Sequence, residues 1–315
     1  MASAPVPRNQ HYVPKFLLKN FADDGTKTLF VFDKQKGIHF PKAPKKVAAE
    51  DYFYEFPGEP TGDVEAELSR VESKTAPVIK KLIATKAVSA LTTSERQILA
   101  EFVALQIVRV PYSRSIFEQV GNILNKKFGM PLPTPEELKA RNIENLSSSA
   151  DLTKVILEKH WMVYENYSGI KFYLSDNPVV CFNINPSNGR GRGFGSEGAF
   201  IYCPISSNYC LGFICAKTAA WVINRAARAE FGIRHRPIHS IPVAISEGFS
   251  QLASFASALT RRFQRVPKED QTHINFLQVG NSSRYIFSSD ENFEFVRQSL
   301  KEEPKLISPP MLSYL

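Results

Sequence analysis

Three observations predict an α+β fold, a mainly antiparallel sheet packed against a helical layer. Short strand-like runs divided by Gly, Pro and Lys turns fill the chain before Asp63; the hydrophobic period then becomes helical, and strand-like runs return beyond Lys159. Hydrophobic residues make up 43% of the chain and charged residues 22%, ordinary globular usage that excludes wholesale disorder. Aromatics reach 11%, with 23 Phe and 11 Tyr, which calls for a well-filled core with β content. At 315 residues the chain is at the upper size for one hydrophobic core. A loose tail over 1–9 and a single domain over 10–315 are expected, with a helical insertion at about 63–160 as the second lobe if the core divides.

The elements follow in order. Pro14 suits a first helical turn, and Phe16, Leu17, Asn20 and Phe21 come after it at helical spacing, so 11–22 should be helical. Thr28–Asp33, Gly37–Phe40 and Asp51–Phe56 read as short strands. Asp63 is placed as the N-cap of a helix carrying Val64, Leu68, Val71, Ala76, Ile79 and Leu82, which Pro77 should bend or divide. A second helix starts near Thr93-Ser94-Glu95, turns Ile98, Phe102, Leu105 and Val108 to one face, breaks at Pro111 and resumes through Leu124. Pro131, Pro133 and Pro135 end it; a short polar helix at 136–142 and another from Ala150 to Lys159 come next. Trp161–Asn166, Lys171–Leu174, Val179–Asn183, Phe200–Pro204 and Tyr209–Cys215 suit partly buried strands. Helices are expected again at 217–231, 243–264, 270–284 and 291–302. There is no internal repeat and no heptad pattern.

The formal charge of +8 favours acidic partners, nucleic acid or a phosphorylated ligand, although 31 Asp and Glu accompany the 39 Lys and Arg. The four cysteines, Cys181, Cys203, Cys210 and Cys215, form no C-x-x-C pair and sit in apolar strand-like runs, where free thiols behave as small hydrophobes. The opening Met-Ala-Ser-Ala-Pro-Val-Pro-Arg is no signal peptide, and no apolar run approaches the ~18 residues of a membrane helix. A cytoplasmic, reducing compartment and no membrane partner are expected.

Four segments carry candidate chemistry. Gln10-His11-Tyr12-Val13-Pro14 puts an imidazole at a helix entrance, where backbone N–H groups favour a neutral ring or a nearby anion. His11 is then an acid or base, or a side chain that only bonds a neighbouring loop. Gln106, Arg109 and Ser113 fall on one helical stripe, and Ile107, Val108 and Val110 hem in Arg109, whose desolvated guanidinium demands a partner. A substrate phosphate or carboxylate would serve, and so would Glu65 or Glu72, which share a face of the preceding helix. Ser175-Asp176-Asn177-Pro178 places Asp176 at a strand end as a base, a metal ligand or an orienter of His; the same residues are also strong turn chemistry. Gly189–Gly198 formally contains G-x-G-x-x-G at 193–198, but it leads into a strand, so a dinucleotide site is rejected in favour of a hairpin loop. Pro237 between His235 and His239 removes the helical zinc spacing, and Arg261, Arg262, Arg265 and Lys268 read as a solvated helix end.

Taken together, these segments resemble an uncharacterised protein family, catalogued as domain of unknown function 4238. The matching pieces are Gln10-His11-Tyr12-Val13-Pro14 with Phe16-Leu17 and Phe21, the Glu65…Glu72 helix, Gln106-x-x-Arg109-x-Pro111-x-x-Arg114, Ser175-Asp176-Asn177-Pro178, Pro204 and Asn275…Arg284-Tyr285. The resemblance implies that His11, Gln106, Arg109, Arg114 and Asp176 belong to one signature, which strengthens an enzymatic reading in which they meet in one pocket. The expectation is a hydrolase acting on nucleic acid or another phosphate ester. His11 would be acid or base, oriented by Asp176; Arg109 and Arg114 would bind the phosphate, with Gln10, Gln106 and Asn177 completing the substrate site. No cofactor is required; Glu65, Glu72 and Asp176 are capable of holding Mg²⁺, but no spacing specifies such a site. The alternative is a non-catalytic nucleic-acid- or protein-binding module whose polar motifs are structural. A catalytic set should line an accessible cleft, whereas a structural set should be buried.

Overall fold

The computed structural model describes residues 7–55, 62–184, 193–234 and 243–308. The chain runs through Asn9–His11 (β1), Lys15–Lys19 (α1), Leu29–Asp33 (β2), Ile38–Lys42 (β3) and Ala49–Asp51 (β4). A helical stretch follows: Asp63–Thr85 (α2), Thr93–Val108 (α3), Pro111–Phe128 (α4), Pro135–Glu144 (α5) and Ser149–Leu157 (α6). The rest is mixed: His160–Asn166 (β5), Leu174–Ser175 (β6), Val180–Asn183 (β7), Ala199–Ser206 (β8), Tyr209–Ile214 (β9), Ala216–Arg234 (α7), Val243–Arg261 (α8), Phe263–Val266 (β10), Lys268–Asn281 (α9), Tyr285–Ser288 (β11) and Glu294–Glu302 (α10). This is an α+β architecture with sheets packed against helices.

Among the described residues the strands form three sheets, where one was expected. β1 and β4 make an antiparallel ribbon with Gln10 opposite Glu50 and His11 opposite Ala49. A four-stranded antiparallel sheet, ordered β3-β2-β11-β6, draws on both halves of the chain. A five-stranded sheet, ordered β10-β5-β9-β8-β7, is antiparallel apart from the β10–β5 pair.

Local sequence accounts for most helix ends. Thr92 and Glu95 form a reciprocal capping box at the start of α3, and Pro111 occupies the first turn of α4, where its missing N–H costs nothing. Between those helices Arg109 becomes the C-cap of α3, its φ −92° and ψ 5° already outside the helix. Gly62, left-handed at φ 75°, caps α2, so Asp63 is its first residue and not its cap. Pro77 lies inside α2 without dividing it, because Val71 and Thr75 before it and Val78, Ile79 and Leu82 after it are all buried.

Two short strands were not expected: β10 takes over the end of the helix expected at 243–264, and β11 lies in a stretch to which no element was assigned. Arg262 adopts φ 56°, which ends α8 and releases β10 to pair with β5. Arg265, expected on a solvated helix end, lies on β10, where its Nε donates to Glu165 at 2.9 Å. Ser282, extended at ψ 144°, ends α9, and β11 enters the four-stranded sheet between β2 and β6. Arg284 then clasps Asp33 through Nε and Nη2, at 3.1 and 2.7 Å, fastening β11 to the end of β2. Likewise 11–22 is helical only over α1, and of the strand expected at Asp51–Phe56 only Asp51 lies in the ribbon; Tyr52 has φ 51°, and Phe56 lies outside the described residues.

One contiguous hydrophobic core joins the helical stretch to the five-stranded sheet. It includes Leu17 and Phe21 near the start, Leu68, Leu99 and Phe102 of α2 and α3, and Trp161, Phe213 and Leu259 beyond. A smaller cluster of Phe32, Tyr173, Val279, Ile286, Phe293 and Val296 lies under the four-stranded sheet. Among the described residues no helix is long and apolar enough to cross a membrane.

Candidate functional site

The β1–β4 ribbon carries the Gln-His-Tyr-Val-Pro segment past the C-terminal end of α3, where Arg109 is the organising residue. Its Nη2 donates to the His11 carbonyl and to Glu72 Oε1, each at 2.7 Å, and its Nε donates to the Tyr54 hydroxyl at 3.1 Å. The Tyr54 oxygen in turn lies 3.2 Å from the His11 and Arg109 carbonyls. Arg109 is 1% exposed. Burial opposes its charge, but Tyr54 and Glu72 outweigh that, so the guanidinium is held above its ordinary value. Of the two partners that the sequence offers, the structure selects Glu72.

Gln10 and Gln106 complete the base of this network. Gln10 Nε2 donates to Glu55 Oε1 at 2.7 Å, and its Oε1 accepts the Tyr54 N–H at 2.7 Å. Gln106 Nε2 donates to the Tyr12 carbonyl at 2.7 Å, which ties α3 to the segment leaving β1. Arg114, one turn into α4, stands at the rim: its Nη2 donates to Glu50 at 2.8 Å and its guanidinium lies over Phe53. Both arginines expected to grip a phosphate are therefore engaged by glutamates.

His11, Glu65 and Gln106 each keep a polar atom unmatched, Gln106 through Oε1. His11 Nε2 and Glu65 Oε2 are buried and have no hydrogen-bond partner. Burial, with Lys15 and Arg109 nearby, pushes the imidazole down to about 4, so the ring is neutral at pH 7. Burial raises the Glu65 carboxyl to about 7, Arg109 working against that shift and Glu72 and Glu55 with it. Both groups thus feel Arg109 and Lys15, and Glu65 alone of the two titrates near neutrality.

Asp176 and Asn177 lie in a different network. The Asp176 carboxylate accepts the backbone N–H groups of Ser283, Arg284 and Tyr285 at 2.7, 2.7 and 2.8 Å, and it makes no hydrogen bond to His11. Burial raises it to about 6 against those three donors and Lys34. Lys34 Nζ donates to the carbonyls of Val279, Ser282 and Leu306, so the two side chains pin the passage from α9 to β11. Asn177 Nδ2 donates to the Asn281 carbonyl at 3.0 Å, and Ser175 Oγ bonds Asn177 and Gln278. The structure thus gives Ser-Asp-Asn-Pro its turn geometry and does not bring Asp176 to His11.

The model of the family described as a protein of unknown function, DUF4238, matches residues 9–292. The chain belongs to this family. No curated protein and no solved structure matches it. Of the DUF4238 signature pieces, the structure joins Gln10, His11, Glu65, Glu72, Gln106 and Arg109, leaves Arg114 at the rim, and sets Asp176 apart. Among the described residues no group of three or more His, Cys, Asp or Glu is placed to hold a metal ion. Gly189–Arg192, His235 and His239 lie outside the described residues, while Gly193–Gly198 leads into β8. Tyr54 and Glu55, with Glu50 at the rim, are residues of this network that sequence reasoning passed over. A carboxylate flanked by Tyr54 and Phe56 was the available signal, since a charge in an aromatic run needs a partner.

Proposed function

We propose that the chain is a hydrolase working by general acid–base catalysis, with Glu65 as the group that takes and returns the proton. Neutral His11 would hydrogen-bond the substrate or the attacking water. One observation carries the reading: His11 Nε2, Glu65 Oε2 and Gln106 Oε1, three atoms of one network, are buried without partners, and of the three groups Glu65 has its carboxyl raised toward neutrality. Such atoms mark a place that water or a bound molecule fills, or a catalytic group. A carboxyl near 7 is matched to proton transfer at neutral pH, the role first assigned to the His11–Asp176 pair.

The charges narrow the substrate. Glu72 and Glu55 act on Glu65 alongside Arg109 and Lys15, and Arg109 is already engaged by Glu72, so a phosphate gains little here. A carboxylic ester or amide, uncharged at the scissile bond, suits the site better. A cytoplasmic setting belongs to the same proposal, supported by the four unpaired thiols.

The test is turnover of chromogenic carboxylic esters and anilides, beside p-nitrophenyl phosphate and labelled RNA, by wild-type, Glu65→Gln and His11→Ala proteins. Ester or anilide hydrolysis lost by about 10²-fold or more in Glu65→Gln, with melting retained, is the expected result. Full activity in that variant, or no turnover of any substrate by the wild type, leaves the second reading. That reading is the binding module with structural motifs, and what favours it is the exposure of Gln10, Gln106 and Arg109, 0%, 0% and 1%.

A further inference from the structure

A cleft of about 690 Å³ lies between α8, α9 and the five-stranded sheet, within the size range of small-molecule sites, and it shares no residue with the Arg109 network. Its floor is aromatic. Tyr164 on β5 and Tyr202 on β8 project from strands that β9 separates, and Gly212 on β9 lets the rings meet. A Cβ at Gly212 would fall 2.2 Å from the Tyr164 ring; without one, the two ring centroids are 5.8 Å apart. Tyr164 and Tyr202 are 4% and 8% exposed, yet neither hydroxyl has a partner among the described residues. Both residues line the cleft.

The wall is polar. Asp270 and His273 stand one turn apart on α9, with Asp270 at the exposed rim. Gln264 on β10 donates to Asp270 Oδ2 at 3.2 Å, Oδ1 accepts no hydrogen bond from the described residues, and Phe182 holds the His273 ring edge-on at 4.9 Å. Burial lowers His273, Asp270 resisting, which keeps the ring neutral at pH 7. No Lys or Arg is among the described residues lining the cleft, so in a chain of net charge +8 its formal charge is that of Asp270.

We propose that this cleft binds a small amino-substituted heteroaromatic molecule, neutral or cationic and carrying no phosphate, with its ring on the tyrosine floor and its N–H edge toward Asp270 and Gln264. Each feature selects one property of the ligand. The paired tyrosines and Phe255 offer apolar ring surface, and their free hydroxyls meet ring nitrogens or carbonyls. The Asp270 carboxylate accepts a pair of N–H groups, such as an amidine edge presents. A phosphate would meet a carboxylate with no cation to offset it.

Calorimetric titration with 2-aminobenzimidazole, cytidine and guanosine as probes, and guanosine 5′-monophosphate as the anionic comparator, tests this on the full chain. At least one of the three probes should bind with a Kd below about 1 mM, and Asp270→Asn should weaken it by at least about tenfold. Tyr202→Phe should weaken it also, with melting unchanged in both variants, and Glu65→Gln should leave it intact. Three results would overturn the proposal: no heat from any of the three probes, equal affinity in Asp270→Asn, or tighter binding of the nucleotide than of guanosine.

Discussion

Arg109→Ala isolates what the central network contributes. The substitution removes the donors of the His11 carbonyl and Glu72 and the Nε contact to Tyr54, and it leaves a space where a 1%-exposed guanidinium stood. Glu72 keeps some water, its side chain being 23% exposed, so the unpaired carboxylate is cheaper than one in a dry interior. The His11 carbonyl and the Tyr54 hydroxyl have no such relief, though they retain each other. Breaking a buried pair from one side costs about 3–5 kcal/mol, and the partial hydration of Glu72 points to the lower half of that range. At about 2 °C per kcal/mol in a chain of this size, the melting midpoint should fall by about 6–8 °C. Calorimetry at pH 7 on the wild type, Arg109→Ala, Glu72→Gln and the double variant measures it. Glu72→Gln should cost less than Arg109→Ala, and the cycle should return a coupling of about 1–2 kcal/mol. An Arg109→Ala midpoint within about 2 °C of the wild type would refute the reasoning, because the guanidinium would then be pinning nothing.

Two further outcomes follow from named groups. Glu65 sits near 7 in the folded chain against a reference of 4.5, so its contribution is full below pH 4.5 and is lost as the pH rises through 7. Discounted for solvent at this half-buried side chain, that contribution is on the order of 1–2 kcal/mol when complete. Glu65→Gln should therefore be more stable than the wild type by about that amount at pH 8 and equal at pH 4.5, read from urea melts; His11, which titrates identically in both proteins, cancels. Equal stability at pH 8 would mean that Glu65 is solvated. Separately, Gly212→Ala should cost about 1–3 kcal/mol by driving the Tyr164 ring off β9, measured by the same melts, and an unchanged midpoint would show that the ring moves aside freely.

The sequence was most legible where one residue type dictates one geometry. Thr92 with Glu95, and Pro111 after Arg109, placed the α3–α4 junction to within a residue or two, because capping and the missing proline N–H act locally. The strands β10 and β11 were missed for the opposite reason. Each is four residues long, follows a helix without Gly or Pro, and exists because a distant edge accepts it, β5 in one case and β2 with β6 in the other. Asp176 shows the same limit for the site. Its turn chemistry was readable, but a carboxylate that meets the N–H groups of residues 283–285, over a hundred positions away, has no local signature.

What the sequence by itself determined is the kind of elements, the family, and the demand that a guanidinium among Ile107, Val108 and Val110 be paired. Periodicity, composition and desolvation are properties of neighbours along the chain, and they need no knowledge of what lies across it. Tertiary structure alone decided which partner met the demand, Glu72 over Glu65, and so left Glu65 with an unpartnered oxygen and a carboxyl near neutrality. It also decided that Gln10 and His11 stand with Arg109 while Asp176 does not. Pairing and burial depend on which surfaces are pressed together, and that is fixed only when the helices close on the sheets.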